Sequence, residues 1–268
     1  MRLGFIGTGS IAAAIVEGLS KARVSSLEIV VSPRNATIAQ VLEARFANVR
    51  AAKSNQAVLD ATDLVVLAVR PQVAEEVLRG LRFRRGHQVV SLVAAWPIDR
   101  VRSMVAPATT VARAAPLPFV ANLIGPTALY DAPKAVVELF DHLGSAMPVE
   151  SEEAFDALMA TTSIMGSYFE LLHTVSTWLA GAGLSEGLGA QFASQIFYAL
   201  GSTARCAPSS DFAALREEFS TKGGLNEQLA ERLAAAGVFS AVHSGLDGVM
   251  ERLRGSSTTF RSKHVTAP

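Results

Sequence analysis

The stretch that most constrains this chain is its beginning, MRLGFIGTGSIAAAIVEGLS. A short apolar run over Arg2–Ile6 predicts a buried strand, and this run stops at a glycine-rich turn, GTGSIA, that starts at Gly7. A helical spacing of apolar side chains follows at once, at Ile11, Ile15, Val16 and Leu19. A strand, a G-x-G-x-x-A turn and a helix in this order are typical of the first unit of a dinucleotide-binding fold.

The small residues of this turn are each required for a physical reason. Gly7 permits the tight turn, Gly9 has no side chain to keep a pyrophosphate away from the backbone, and Ala12 lets the helix lie close to the strand. The positive end of the helix then directs free N–H groups at the phosphates. We therefore predict cofactor contacts at Gly7, Thr8, Gly9, Ser10 and Ile11. The alternative is a structural turn that binds no ligand.

The end of the second predicted strand, Leu27–Val31, indicates which dinucleotide is bound. NAD-binding folds place Asp or Glu here for the ribose diol, whereas NADP-binding folds supply Arg and hydroxyls for the 2′-phosphate. No acid follows this strand, and the predicted 2′-phosphate ligands are Ser32, Arg34 and Asn35. A guanidinium matches a phosphate with two parallel hydrogen bonds, so we predict NADP(H). The alternative is a solvated loop with a surface arginine.

Bulk composition narrows the function classes. The 268 residues carry 24 basic and 24 acidic side chains, so charge gives no reason to expect nucleic acid or a membrane surface as a partner. One cysteine, Cys206, excludes an internal disulfide framework, and the five histidines show no ligand spacing, so we predict no metal. The N-terminal apolar run is too short for a signal peptide, which leaves a cytoplasmic location as the expectation.

Further strands alternate with helices up to about residue 116, and this alternation predicts a doubly wound parallel sheet of Rossmann type. The predicted strands are Val49–Ala52, Asp63–Val69, His87–Val93 and Thr109–Ala112. Ligands of such sheets bind at the carboxyl ends of the strands. The strand ends therefore add candidate cofactor contacts at Ala68, Val69, Arg70, Pro71, Gln72, Ala94 and Ala95.

The pattern changes near Pro148 and is helical from there on. We predict a dinucleotide-binding domain over residues 1–150, an all-α domain over 151–254 and a flexible tail over 255–268. The predicted helices of the second domain are Glu152–Met159, Ser163–Gly181, Ser185–Ala207, Asp211–Phe219, Asn226–Ala236 and Phe239–Arg252. The stretch Ala160–Leu184 is apolar almost all round and should be buried on every side. We therefore expect a homodimer, or a higher homo-oligomer, formed through this domain.

These motifs resemble the pyrroline-5-carboxylate reductase family, which catalyses the last step of proline synthesis. The opening GFIGTGSIAAAIVEGL is similar to the family's GxIGxGxMxxAIxxGL, and VSPRN is similar to its NADP-selecting turn. KSNQAVLDATDLVVLAVRPQ is similar to the segment that ends in V-K/R-P-Q, and here the resemblance adds Asn55 as a cofactor contact. SLVAAWP, SIMGSYFELLHTV and STKGGLNEQ stand where the family has S-x-A-A-G, S-G-P-A-Y and S-P-G-G-T-T.

The departures from the family fall in the half that would hold the substrate. The family's R-x-M-P-N-T-P is replaced by RAAPLP from Arg113, without Asn and Thr. In its P-G-G-T-T turn, glycines and a threonine hold the carboxylate of a cyclic imino acid. Here the turn reads Lys222-Gly223-Gly224-Leu225-Asn226, so a hydroxyl donor is lost at Leu225. Either the substrate differs, or Lys222 and Asn226 capture its anion in another way.

By this resemblance, the predicted substrate-binding residues are Lys222, Gly223, Gly224 and Asn226, with Asn226 as the cap of the following helix. The predicted catalytic residues are Asn226, Tyr168 and Ser163, because either hydroxyl could reach the imine nitrogen. The alternatives are an ordinary capped loop and core hydroxyls bonded to the preceding turn. Three further residues stay open between a ligand role and a packing or pairing role: Trp96, Arg113 and His173.

Three functions remain. The first is an NADPH-dependent reductase of a C=N bond in a small cyclic imino acid, in the first instance pyrroline-5-carboxylate to proline, which needs little from the protein beyond orientation. The second is a reductase of the same architecture with another substrate: another imine, a 3-hydroxy acid or a deazaflavin. The long helix holds no lysine for a hydroxy-acid dehydrogenase, which counts against that substrate. The third is a non-catalytic NADP-binding protein.

Overall fold

The structure is a computed structural model that describes residues 1–207 and 211–255. The chain divides into two compact units, one built on Met1–Ala160 and the other on Thr161–Glu251. The tail predicted to be flexible lies, apart from its first residue, outside the described residues.

The first unit is built around one eight-stranded sheet with the strand order β3-β2-β1-β4-β5-β6-β7-β8. All neighbouring strands are parallel except β6 and β7, which are antiparallel. The predicted Rossmann-type α/β fold is thereby confirmed. The strands are β1 (Arg2–Ile6), β2 (Glu28–Val31), β3 (Val49–Ala51), β4 (Leu64–Leu67), β5 (Gln88–Ser91), β6 (Thr110–Ala115), β7 (Pro126–Tyr130) and β8 (Ser145–Val149).

Helices cover both faces of this sheet, which explains why its central strands are continuous apolar runs. Successive side chains of β1 point to opposite faces: Phe5 belongs to one core and Ile6 to the other. The helices of the first unit are α1 (Ser10–Lys21), α2 (Ala36–Arg45), α3 (Asn55–Ala61), α4 (Pro71–Arg79), α5 (Ile98–Val105), α6 (Lys134–Asp141) and α7 (Glu152–Thr161), with a 3₁₀ turn at Pro118–Asn122.

The sequence pattern did not predict β7 and β8. The residues of β8 are exposed or half-buried, and its Pro148 cannot donate to a strand ladder. Because an edge strand of this kind has no continuous apolar run, it carries no clear strand signal. The antiparallel β6–β7 pair is the place where the sheet departs from the all-parallel arrangement that we expected.

The two units meet in the chain between Ala160 and Thr161, about ten residues after the predicted boundary. Helix α7, which we expected to open the helical domain, belongs to the sheet unit up to Ala160. The reason lies in its side chains: Phe155 is fully buried, and two carboxylates of α7 bind a buried arginine of β6.

The second unit consists of α8 (Ile164–Gly181), α9 (Glu186–Cys206), α10 (Phe212–Glu218), α11 (Leu225–Ala235) and α12 (Val238–Leu253). Helices α8 and α9 pack closely at Gly189, where a Cβ atom would lie 3.2 Å from the carbonyl oxygen of Ser176. Each helix begins and ends within one or two residues of its predicted bounds.

Within a single chain most of the stretch Ala160–Leu184 is not buried, and its cover by a second subunit stays a prediction. In the described part of the chain α8 has no buried residue, and Trp178 is 71% exposed. A sequence can indicate that an apolar helix needs cover, but one chain of this length does not supply it. No single helix in the described ranges is long and apolar enough to cross a membrane; α11 and α12 meet the length and composition criteria only as a pair bent by 51°.

The buried histidine His87 gives the first unit a predicted pH dependence. Its Nδ1 accepts the backbone N–H of Arg84 at 3.1 Å, and its Nε2 lies 2.9 Å from Nε of Arg84 and 3.1 Å from the carbonyl oxygen of Leu59. Burial lowers the pKa of His87 below its ordinary 6.5.

We expect the free energy of unfolding to fall as the pH drops below about 6.5, because the unfolded chain then binds a proton that the folded ring resists. Denaturant titrations from pH 8 to pH 5 should show this loss in the wild type and a weaker one in His87→Gln. His243→Gln, on an exposed helix, is the matched control. An identical pH profile in His87→Gln would contradict the assignment.

Candidate active site

The turn between β1 and α1 has the geometry of a phosphate-binding loop. Gly7 has a φ of +98°, and a Cβ atom there would lie 2.6 Å from the carbonyl oxygen of Ala68, so only glycine fits. A Cβ atom on Gly9 would meet no described atom within 4 Å, which leaves open space in front of the turn. Gly9 is also the N-cap of α1 and has no side chain to occupy the first N–H groups of that helix.

One cavity of about 360 Å³ lies at the carboxyl ends of the central strands and joins most of the predicted cofactor residues. The contribution of Val73 was not predicted, because it lies on α4 beyond the strand end. The cavity is lined by Gly7, Thr8, Gly9, Arg34, Asn35, Ala68, Val69, Arg70, Gln72 and Val73.

The charge of this cavity is positive. Arg34 and Arg70 both line it and both are exposed, and no ion pair holds either of them within the described ranges. The lining contains no carboxylate among the residues that the structure describes. Asn35 has a φ of +69° and is the N-cap residue of α2, so the loop turns sharply just after Arg34. This arrangement suits an anionic group beside Arg34.

Ser32 differs from the predicted direct contact with phosphate. Its side chain is fully buried and does not line the cavity. The Ser32 hydroxyl accepts the N–H of Gly7 at 2.9 Å, and the Thr8 hydroxyl donates to the carbonyl oxygen of Ser32 at 2.7 Å. Both hydroxyls therefore stabilise the turn by hydrogen bonds between it and the end of β2.

Other predicted cofactor residues do not line the cavity. Pro71 is the first residue of α4, and Ala95, in the exposed turn after β5, has a φ of +58° where the resembling family has glycine. A left-handed conformation at a residue with a Cβ costs about 1–2 kcal/mol. The remaining members of this group are Ser10, Ile11, Asn55 and Ala94.

Arg113 pairs with acids and is not free to meet a phosphate. Its side chain is 3% exposed, and Nη1 lies 2.7 Å from Glu152 Oε1 and 3.0 Å from Asp156 Oδ1. The guanidinium also stacks on Phe155, 4.3 Å from the ring centroid. Glu152 Oε1 additionally accepts the N–H of Ile98 at 2.7 Å, so this network joins β6, α5 and α7.

No sequence signal identified the two carboxylates of this network, because 39 and 43 residues separate them from Arg113. Trp96 likewise packs instead of facing a ligand. It is 3% exposed and belongs to the core, and the guanidinium of Arg100 covers its ring at 4.0 Å.

The predicted substrate turn lies in the second unit and is held by its own side chains. Gly223 has a φ of +73°, and its N–H donates to Glu227 Oε2 at 2.6 Å. The expected cap is wrong: Gly224 is the N-cap of α11, and Asn226 is the second residue of that helix. The Asn226 amide donates instead to the carbonyl oxygen of Phe219 at 2.7 Å.

The predicted catalytic hydroxyls lie on or next to α8, in the second unit. Ser163 is the N-cap of α8 and makes no side-chain cap bond there. Tyr168 is 39% exposed, and its ring packs edge-on against Phe197 of α9 at 5.8 Å. The His173 side chain is exposed in this chain, so it is not a core histidine; a packing role in a subunit interface stays a prediction.

Known proteins of similar sequence share most of the length of this chain. Residues 2–95 match the profile of a family described as "NADP oxidoreductase coenzyme F420-dependent". The pyrroline-5-carboxylate reductase of Pseudomonas aeruginosa is 28% identical over 264 residues, which cover 94% of this chain and 95% of that protein. The pyrroline-5-carboxylate reductase of Mycobacterium tuberculosis is 32% identical over 212 residues, which cover 73% of this chain and 69% of that protein.

The chain belongs to the pyrroline-5-carboxylate reductase family. A crystal structure of 1-pyrroline-5-carboxylate reductase from Streptococcus pyogenes has the same fold, with a TM-score of 0.83, 24% identity and coverage of 95% of this chain and 98% of that one. The resemblance found in the sequence is therefore confirmed. Pyrroline-5-carboxylate reductases are NAD(P)-dependent oxidoreductases that act on C=N bonds. As a member of the family, this protein is an NAD(P)-dependent oxidoreductase of that class.

Proposed function

We propose that the protein reduces the C=N bond of a small cyclic imino acid with NADPH, converting pyrroline-5-carboxylate to proline. The observation that carries this proposal is the positive cavity at the strand ends, where the glycine-rich turn and Arg34 share one lining. A phosphate-binding turn and an unpaired arginine in place of the usual acid fit a phosphorylated dinucleotide better than NAD.

The residues present fit such a cofactor. The open space in front of Gly9 and the free N–H groups of α1 would receive the pyrophosphate, and Arg34 with Asn35 would hold the 2′-phosphate. When bound, the cofactor supplies the hydride. The protein holds the cofactor and the imine in the orientation for transfer, and a positioned hydroxyl keeps a proton at the imine nitrogen. Tyr168 and Ser163 are the proposed donors.

Lys222, Gly223, Gly224 and Asn226 are the proposed substrate-binding residues. A substrate carboxylate would compete with Glu227 for the N–H of Gly223 and would draw the Asn226 amide away from Phe219. A nearby lysine ammonium offsets part of the repulsion between the two carboxylates. This turn departs from the family, so it is the part of the proposal that most needs a test.

A second copy of the chain is the proposed cover for α8. Several large apolar side chains on α8 and α9 are more than one third exposed, which is unusual for a free protein surface. Light scattering should therefore give the mass of a dimer or a multiple of it, and a monomer at micromolar concentration would contradict this assembly.

The test is NADPH oxidation, followed by the loss of nicotinamide absorbance, with pyrroline-5-carboxylate as substrate. We expect faster turnover with NADPH than with NADH. Asn226→Ala should lower kcat/KM about tenfold, the value of one hydrogen bond to a charged group, and leave NADPH affinity unchanged. Gln228→Ala, an exposed neighbour on α11, is the matched control.

Two results would redirect the assignment. If NADPH binds but pyrroline-5-carboxylate is not reduced while another cyclic imine is, the architecture serves a different substrate. If NADPH binds and no imine, 3-hydroxy acid or deazaflavin reacts, the protein is a non-catalytic NADP-binding member of the family.

A further inference from the structure

The preference for NADPH in the proposed function needs Arg34 to be held in place, and the structure points to a buried residue that holds it. We propose that Ser32, together with Thr8, is a positioning residue for cofactor selectivity. This inference rests on the proposed function, because it assumes that Arg34 receives the 2′-phosphate. Ser32 itself does not line the cavity and is fully buried behind it.

Every polar group of Ser32 is tied to β1 or to the turn that follows it. Its N–H donates to the carbonyl oxygen of Phe5 at 3.0 Å, and its carbonyl oxygen accepts the Thr8 hydroxyl at 2.7 Å. Its own hydroxyl accepts the N–H of Gly7 at 2.9 Å. Three hydrogen bonds therefore hold the end of β2 against the end of β1 and the phosphate-binding turn.

The two hydroxyls also bind each other, at 3.0 Å between their oxygen atoms. The single hydrogen of the Thr8 hydroxyl goes to the carbonyl oxygen of Ser32, so the hydrogen between the hydroxyls must come from Ser32. Each hydroxyl thus donates one hydrogen bond and accepts one. Thr8 is 2% exposed and Ser32 is fully buried, so water does not compete for these bonds.

This network limits the freedom of the loop that carries Arg34. One residue, Pro33, separates Arg34 from the fastened Ser32, and proline restricts φ. On its other side, Asn35 is the N-cap of α2 and has a left-handed conformation. The loop is therefore short and fixed at both ends. A group that is already ordered loses less conformational entropy on binding, so the guanidinium gains affinity for the 2′-phosphate.

The experiment measures dissociation constants of NADPH and NADH by titration, on the wild type and on Ser32→Ala. We expect the NADPH preference, as the ratio of the two constants, to fall about tenfold, because the buried N–H of Gly7 loses its acceptor and the loop loses the hydroxyl bonds of Ser32 to the turn. Thr8→Val should lower the ratio in the same direction, whereas Thr8→Ser keeps the hydroxyl and should keep the ratio.

Thr62→Val is the matched control for loss of a buried hydroxyl. Thr62 is fully buried and donates to the carbonyl oxygen of Val58 at 2.7 Å, but it precedes the amino end of β4, whereas the cavity lies at the carboxyl ends of the strands. This variant should lower stability without changing the cofactor ratio. If Ser32→Ala does not fold, the Thr8→Val and Thr8→Ser pair decides the question.

The outcomes separate the two proposals. A wild type that binds NADPH and NADH equally contradicts the cofactor assignment of the proposed function. A wild-type preference that survives Ser32→Ala and Thr8→Val contradicts the positioning role alone. Equal weakening of both cofactors also contradicts it, because Ser32 would then support only the pyrophosphate turn.

Discussion

Arg113→Met should lower the free energy of unfolding by about 3 kcal/mol, the largest stability effect that we expect for any single side chain here. The substitution removes the common partner of Glu152 and Asp156, a guanidinium whose side chain is only 3% exposed. Breaking a buried ion pair costs more than the pair contributes, because the remaining charge is uncompensated. The lower end of the usual range applies, since the two carboxylates are 26% and 17% exposed.

Equilibrium unfolding in denaturant measures this effect, and two further variants locate its cause. Arg100→Met removes an arginine that also stacks on an aromatic ring and pairs with an acid, but it is 47% exposed. It should cost about 1 kcal/mol or less. Adding Asp156→Asn to Arg113→Met removes one uncompensated charge and should recover part of the loss. A loss below 1 kcal/mol for Arg113→Met would mean that water reaches the carboxylates.

Arg34→Ala should weaken NADPH binding about 10- to 100-fold, the value of a charge-assisted contact to phosphate. NADH affinity should change little, because NADH has no 2′-phosphate for the guanidinium to bind. Both affinities can be measured by titration of the reduced nicotinamide fluorescence. Raising the salt concentration should reduce the NADPH advantage of the wild type, because Arg34 is exposed.

Arg50→Ala is the matched control for this prediction. Arg50 is an exposed arginine of β3 outside the cavity lining, and its loss should leave both affinities as they are. If Arg34→Ala weakens NADPH and NADH equally, Arg34 does not distinguish the two cofactors. Arg70, the other arginine of the lining, would then be the next residue to test.

Much of the fold could be predicted from local pattern. The strands β1 to β6 and the helices from α7 to α12 lie within a few residues of their predicted bounds. Central strands covered on both faces are apolar throughout, and helices show their spacing directly, so each signal is contained in its own segment. Strand β8 was missed because an edge strand with exposed residues lacks that signal. Strand β7 lies inside the sheet and has three buried residues, but its short run PTALY was also not predicted.

The cavity at the strand ends could also be predicted, because each motif that lines it is continuous in the chain. The turn from Gly7 and the loop at Arg34 each lie directly after a strand, and parallel strands bring their carboxyl ends to one edge. The roles within that site were less predictable. Ser32 was expected to touch phosphate, and only its burial and its bond to Gly7 indicate a supporting role.

The sequence by itself determined the fold class, the family and most residues of the cavity at the strand ends, since these depend on residues near one another in the chain. Tertiary structure decided which polar side chains are available to a ligand. Arg113 is occupied by carboxylates that lie 39 and 43 residues away, and Asn226 by the carbonyl oxygen of Phe219. Such pairings depend on how distant segments of the chain pack against each other, so the local spacing of residues does not predict them.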